Sequence, residues 1–513
     1  MDKKFNLIDE KWIPTNIGWA SIKDCFIDNN IYQAGRTSTE KICFIKFLLA
    51  IAQATDDYEY NEDIYDMTIS EFKDKILNYL DNHYEDFYFY GDKPFLQFNQ
   101  YLNYEKNDKN FFIKINTIDE TVCSGDNSIV HDSQFKICYS DIEKAIQLIV
   151  NLGAPCIQKI YSGKKPIIFT STLDYIKSPK KDGKQSVNVF KGLFNNYEGL
   201  LHSFVTGKSI LETVYVNLIS CEDLEHINKN ITEIGKPPWE INNLVEDHEY
   251  KNTYYSYLIP MNRFILFFED DDENCFYSDG IYYDDEWMRN QPSIYTVSYK
   301  KINKKNETEE NTTLTIKPSL NESVICSLVN FWIHKKAQNY NFMKSKKIIE
   351  EANLNENDFC VEYLGCNYEI NSGMNYLINY VHEIIPFNSN FYKSYNYDNF
   401  SNFIAQVNGC VNTWKDERTK ELQKFCDQFY DNRKDRKSNI SIEEDFEIEC
   451  KKLIKQAEIR AISNDCFEVE NELKIFKKNA KSILIDIYGL KNSFKRGKKL
   501  EILSKIKSDY LHF

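Results

Sequence analysis

STEKICFIKFLLAIAQA, residues 38 to 54, is apolar on every side of a helical wheel once its first four residues are passed. A helix built from it has no face to offer water, so it belongs at the centre of a domain with other elements packed all round it. The serine or threonine at its start supplies the oxygen that caps the first free amides. The apolar run is too short and too interrupted to cross a bilayer, so the stretch reads as the core of a globular protein.

Working outward, FNLIDEKWIPT at 5–15 reads as a strand and turn stopped by Pro14, and Asp92 to Gln97 as a loop carrying an apolar plug. SDIEKAIQLIVNLG predicts a second helix, capped by Ser140 or Asp141 and ended at Gly153. From about 200 to 335 the pattern alternates in the β manner, in YLIPMNRFILFFED and GIYYDDEWM, with the polar NKKNETEENTT as a loop. Past about 370 the periodicity lengthens: Leu473, Phe476, Ala480, Ile483 or Leu484, Ile487 and Leu490 share one helical face. Pro386 is the last proline, so nothing of that kind breaks the helices beyond it. A chain of 513 residues, 42% hydrophobic, exceeds what one core fills. The expected architecture is an α+β N-terminal domain over 1–370 followed by an all-α four-helix bundle over 371–513.

The chemistry is sparse. In HSFVTGKSILETVYVNLI, residues 202 to 219, Gly207, Lys208 and Ser209 imitate the second half of a phosphate-binding loop, but His202 stands where the first glycine is needed. The segment reads as a turn into a helix, with Ser209 as cap and Glu212 three residues on. The fourteen cysteines are scattered without a C-x-x-C pair, which predicts buried reduced thiols in a cytoplasmic protein and no metal or cofactor. The start, MDKKFNLIDEKW, has no long apolar stretch behind its basic residues, so neither secretion nor membrane insertion is expected. Adjacent His131 and Asp132 suit a metal-dependent phosphohydrolase, yet that chemistry needs further histidines and the chain has only eight, widely spread. The acidic run SDGIYYDDEW reads as solvated carboxylates in a hairpin loop. A net charge of −15 argues against a free-standing DNA-binding protein, while local patches such as Lys159, Lys164 and Lys165, and KNSFKRGKK near the end, suit work inside a complex.

NLIDEKWIPT, FIKFLLAIAQA, DKPFLQ, HDSQFKICYSDIEKAIQLIVNLGAP, then TGKSILETVYVNLI followed by PPWE, taken in that order, resemble the CasA family, the large subunit of the type I-E CRISPR surveillance complex Cascade. The resemblance runs along nearly the whole chain. It implies a non-enzymatic subunit that recognises the protospacer-adjacent motif in double-stranded DNA, helps open the duplex and recruits a helicase-nuclease. Its implied partners are the other Cascade subunits, the CRISPR guide RNA and the target DNA. The family's glycine-rich loop falls on Gly153 to Lys159, where the glycines that let backbone approach the bases are replaced; either Gln158 and Lys159 make the contacts through their side chains, or the alignment slips by a few residues toward Ser162 and Gly163. The family's glutamine wedge falls on Asn371, with Ser372 and Gly373 after it; the shorter amide reaches about one methylene less far. The family's lysine before a tryptophan has no counterpart, since CFYSDGIYYDDEW up to Trp287 holds no Lys or Arg. The family's mobile loop falls on 115–130, and Cys123 alone stands where some members hold zinc through paired cysteines. A phosphohydrolase using His131 and Asp132, and a purely structural nucleoprotein scaffold, are the alternatives.

Overall fold

The computed structural model describes residues 5–97, 112–119, 138–154, 161–162, 165–166, 178–179, 185–186, 199–227, 231–241, 249–281, 283, 287, 289–294, 296–303, 308–315, 340–371, 374–387, 395–413, 442–463 and 467–491. The chain enters through a turn at 7–10, and strand β1 (Ile13–Thr15) pairs antiparallel with β2 (Gly18–Ala20). Pro14 was expected to stop a strand and instead lies within one. β2 pairs along one edge of β1, and on the other edge only a single bridge, Thr15 with Ala34, is made; there the Pro14 carbonyl accepts from the Gly35 amide at 2.8 Å, so the short contact needs no N–H from the proline.

Helix α1 (Ile22–Ile27) leads to α2 (Ser38–Gln53), all sixteen residues of which are buried. Thr37 caps it, its hydroxyl accepting from the Glu40 amide at 3.1 Å. Trp12 packs on Phe44 and Phe47 at 5.6 and 6.0 Å, and Phe47 meets Phe95, the apolar plug of the 92–97 loop, at 6.0 Å. Burying each such side chain contributes about 1.5–3 kcal/mol. The polar residues in α2 are answered one by one: Lys46 Nζ donates to the Tyr257 carbonyl at 2.7 Å and to Gln291 Oε1 at 3.0 Å, and the Gln53 amide exchanges bonds of 2.9 and 3.2 Å with Ile219.

α4 (Asp141–Gly153) and α5 (Ile210–Val216) pack on this helix, and the same unit holds α3 (Ile69–Asn82), β3 (Phe112–Lys114) and β4 (Leu201–Thr206). Strands β5 (Arg263–Phe268) and β6 (Asp271–Asp279) join β3 in an antiparallel sheet of order β3-β6-β5. β7 (Thr296–Asn303) and β8 (Thr308–Thr315) form a hairpin. Part of the NKKNETEENTT tract is therefore strand rather than loop: threonines suit a pleated backbone, and β7 supplies the partner that local polarity did not reveal. Helix α6 (Tyr340–Glu351) precedes β9 (Cys360–Asn371) and β10 (Met374–Pro386), which complete a sheet of order β10-β9-β4. All of these belong to the first of two compact units, which takes in the described residues through Phe387.

The second unit holds α7 (Tyr395–Thr413), α8 (Ile442–Ser463) and α9 (Val469–Lys491). Phe400, Phe403, Phe467 and Phe476 meet edge to face at 5.7–6.3 Å, and Arg460 grips Glu472 with a two-pronged bond of 3.0 and 2.6 Å. On α9, Phe476 and Ala480 are buried, as the helical spacing predicts. Three long helices of this unit are described, which agrees with the helical part of the expected architecture.

Two consequences of the α2 core are measurable. Gly35 turns the chain into α2 with φ of +95°, and a Cβ there would lie 2.5 Å from the Lys41 amide nitrogen. Gly35→Ala is expected to lower stability by roughly 1–3 kcal/mol, read from the denaturant midpoint. Burial pushes the Lys46 ammonium down from 10.5 to about 7. Between those values the unfolded chain holds the proton that the folded one has shed, so this residue's cost is fully present below about pH 7 and fades as pH rises to 10.5. Lys46→Met should flatten that rise in stability across the same window. An unchanged slope would mean that Lys46 does not titrate there.

Candidate nucleic-acid interface

Helix α4 is held at both ends. At its start Ser140 and Glu143 form a capping box, and buried Lys144 reaches the turn between β5 and β6, donating to Asp272 at 2.7 Å and to the Phe268 carbonyl at 3.2 Å. Along its length Asn151 donates to the Ile118 carbonyl at 3.2 Å and accepts from the Tyr277 hydroxyl at 2.9 Å. At its end the Asn262 amide donates to the Leu152 carbonyl at 2.9 Å, and the Asn262 side chain donates to the Gly153 carbonyl at 3.3 Å. These bonds satisfy carbonyls that a helix end leaves without partners.

The turn that supplies this clamp is strained. Met261 is buried with φ of +50°, a conformation that a bulky residue adopts only when its surroundings impose it. They do so here: the Gly280 and Ile281 amides each donate at 2.9 Å, to the Asn262 and Met261 carbonyls respectively, and the Tyr283 hydroxyl donates to the Pro260 carbonyl at 2.8 Å. Tyr283 in turn stacks on Trp287 at 3.8 Å, and Trp287 donates to Ser256 at 3.1 Å. The stretch read as a strand and an acidic hairpin loop is thus a core anchor, with Ile281, Tyr283 and Trp287 buried and no strand among its described residues beyond Asp279. The sequence hid this because three apolar residues at irregular spacing match neither a strand nor a helix period.

The β9–β10 hairpin, which also packs on α2, is pinned at its root. Ser38 donates to the Val381 carbonyl at 3.2 Å, Thr39 contacts the Cys366 thiol at 3.2 Å, and Lys41 meets His382 at 3.4 Å. His382 bonds Glu362 at 2.7 Å, and Gln33 donates to the same carboxylate at 3.3 Å. Burial holds the Lys41 ammonium below its usual range against the opposing pull of Glu362. The ladder runs from Cys360–Pro386 to Asn371–Met374, with a bulge at Asn367/Tyr368. A bulge at that point adds twist and re-aims the hairpin beyond it. Asn371 is thus the last paired residue of a long strand, and another strand follows it rather than a helix. Its side chain, Ser372, Gly373, Gln158 and Lys159 lie outside the described residues, as do His131, Asp132 and Cys123.

The loop resembling a phosphate cradle is filled by its own chain. The Gly207 amide donates to Thr213 Oγ1 at 3.0 Å, the Lys208 amide to Glu212 at 2.7 Å, and the Glu212 amide to Ser209 at 3.2 Å. Lys208 Nζ pairs with Asp358 at 2.7 Å, and His202 is fully buried in β4. The capped helix start read from the sequence is what stands there.

The family model described as CRISPR-associated protein Cse1 matches residues 6–436. The chain belongs to the Cse1 family. Its fold agrees: Thermobifida fusca Cse1 aligns over 98% of this chain and 96% of its own at 14% identity, with a TM-score of 0.68. Thermus thermophilus CasA (Cse1) aligns over 99% and 98% at 14% identity, with a TM-score of 0.62. A chain of a structure titled "CRISPR RNA-guided surveillance complex" aligns over 99% of both at 10% identity, with a TM-score of 0.61. A search of curated proteins gave no match. The family resemblance of the ordered motifs is therefore borne out, at identities where the structural likeness speaks for the fold alone.

Within this Cse1 fold, the clamp formed by Asn262, Met261 and Gly280 is what motif reading missed; only the glycine in SDG hints at it. A Cβ on Gly280 would lie 2.0 Å from the Met261 carbonyl oxygen and 2.3 Å from the Asn262 carbonyl carbon, both backbone atoms that cannot yield cheaply. Gly280→Ala is expected to lower the thermal midpoint and speed hydrogen exchange of the Asn262 amide. Gly409→Ala in α7, where a Cβ meets nothing within 4 Å, should instead leave stability level or raise it by about 0.5–1 kcal/mol. Equal effects of the two would remove the clamp from the account.

Proposed function

We propose that the chain is the large, non-catalytic subunit of a type I-E Cascade surveillance complex, and that it inspects the motif beside the target in double-stranded DNA. The observation that carries this reading is the Cse1 family match over residues 6–436, supported by full-length fold similarity to a chain of an RNA-guided surveillance complex. In it, guide RNA pairing reads the target sequence while this subunit reads the adjacent duplex, helps part the first base steps and provides the docking surface for a helicase-nuclease. Unstacking those steps costs roughly a few kcal/mol each, which binding a wedge at the edge of the motif offsets. The complex works in the cytoplasm, and its second unit closes as a four-helix bundle.

The residues assigned to the duplex are Gln158 and Lys159 in the segment after α4, and Asn371, Ser372 and Gly373 at the end of the β9–β10 hairpin. Two features of the fold support the assignment: both segments extend from elements packed on α2, and both roots are tied by buried hydrogen bonds. A contact group on a rigid root loses little entropy on binding. Asparagine offers one donor and one acceptor, enough to read a base edge in the minor groove.

The test is a guide-loaded complex reconstituted with this chain and offered target duplexes with randomised flanking positions. Asn371→Ala is expected to weaken discrimination among flanks while leaving association with the guide-loaded core unchanged. An unaltered flank preference would remove Asn371 from the interface.

A further inference from the structure

Helix α9 carries Lys474, Lys477, Lys478 and Lys481, spaced i, i+3, i+4 and i+7. That spacing sets four ammonium groups in one stripe on the side away from buried Phe476 and Ala480. Lys474 and Lys478 are exposed, and Lys477 and Lys481 half-buried. The stripe stands out in a chain whose net charge is −15. Elsewhere in this unit Lys452 pairs with Glu449 and Arg460 with Glu472. No ion pair of that kind forms on Lys474, Lys477 or Lys478 among the described residues, and Glu470, one turn before Lys474, is exposed and not bonded to it.

Like charges three and four apart on a helix repel by a few tenths of a kcal/mol per pair, so the row formed by Lys474, Lys477 and Lys478 is a standing cost that an anion would relieve, with Lys481, which already has an interaction of its own, at its end. From Lys474 to Lys481 the helix rises about 10.5 Å. One DNA strand carries a phosphate every ~3.4 Å of helix axis, so about three phosphates face that length. Ammonium groups bind phosphate as point charges and need no fixed orientation, which suits a backbone contact blind to sequence.

We propose that the α9 lysine stripe binds the phosphate backbone of duplex DNA, as a sequence-independent contact additional to the motif-reading residues. The inference rests on the DNA-binding reading above and assigns a nucleic-acid surface to the second unit. The experiment uses the full chain in the guide-loaded complex with a labelled target duplex, titrated at several salt concentrations. The variant carries Lys474→Gln, Lys477→Gln, Lys478→Gln and Lys481→Gln, and a second variant carries arginine at the same four positions. The glutamine variant is expected to bind DNA more weakly, with a plot of log affinity against log salt shallower by about 0.9 for each phosphate that is no longer neutralised, and with its flank preference intact. The arginine variant should restore the slope. Wild-type affinity and slope in the glutamine variant would overturn the proposal and leave the stripe a solvated face. Failure of that variant to join the guide-loaded core would overturn it in favour of an RNA or protein partner. A wild-type complex that binds no duplex at all would sink the underlying reading as well.

Discussion

A helix with no exposed face can be tolerated only if every polar group inside it finds a partner, and α2 shows how far that requirement reaches. Lys46 ties it to the segments around Tyr257 and Gln291, Gln53 ties it to Ile219, and Ser38, Thr39 and Lys41 tie it to the β9–β10 hairpin. Each bond joins residues far apart in sequence. An unanswered buried group costs about 1–3 kcal/mol, more when charged, so these partners help specify which elements surround the helix as well as holding them there.

The roots of the two segments proposed to meet DNA are held by the same logic. Neither α4 nor the hairpin could aim a contact if its root were loose, because a loosely held side chain spends binding energy on being ordered. The α4 root is fixed by a turn whose backbone strain is maintained by Gly280, Tyr283 and Trp287. The hairpin root is fixed by a chain of polar contacts from Lys41 through His382 to Glu362 and Gln33. Strain and buried polarity are costs to folding, and here they sit at the bases of the segments proposed to meet the ligand.

Some of this was legible in advance. The caps at Ser140 and Ser209 were readable because a cap is a local event, a side-chain oxygen three residues from an amide, while the cap of α2 falls on Thr37, just before the serine and threonine from which it was expected. The TGKS segment was readable as a turn for a steric reason, the histidine in place of a glycine, and the structure adds that its amides and its lysine are already occupied. The β8 strand was not readable in a polar tract, and the anchor around Trp287 looked like a solvated acidic loop. The partner of β8 is the adjacent β7, and its polar residues masked the pleat; the anchor around Trp287 depends on Ser256, Tyr257 and Pro260, which arrive from elsewhere in the chain.

By itself, then, the sequence determined where helices begin, which helix must be central and, through the order of its motifs, which family the chain belongs to. The reason is that caps, periodicity and ordered motifs are short-range or one-dimensional properties. Only the tertiary structure decided that Asn371 ends a long strand, that Met261 and Asn262 clamp α4, and that four lysines on α9 lie together without carboxylates to match three of them. Those depend on distances between residues that the chain separates, and distance across a fold is set by the packing of the core.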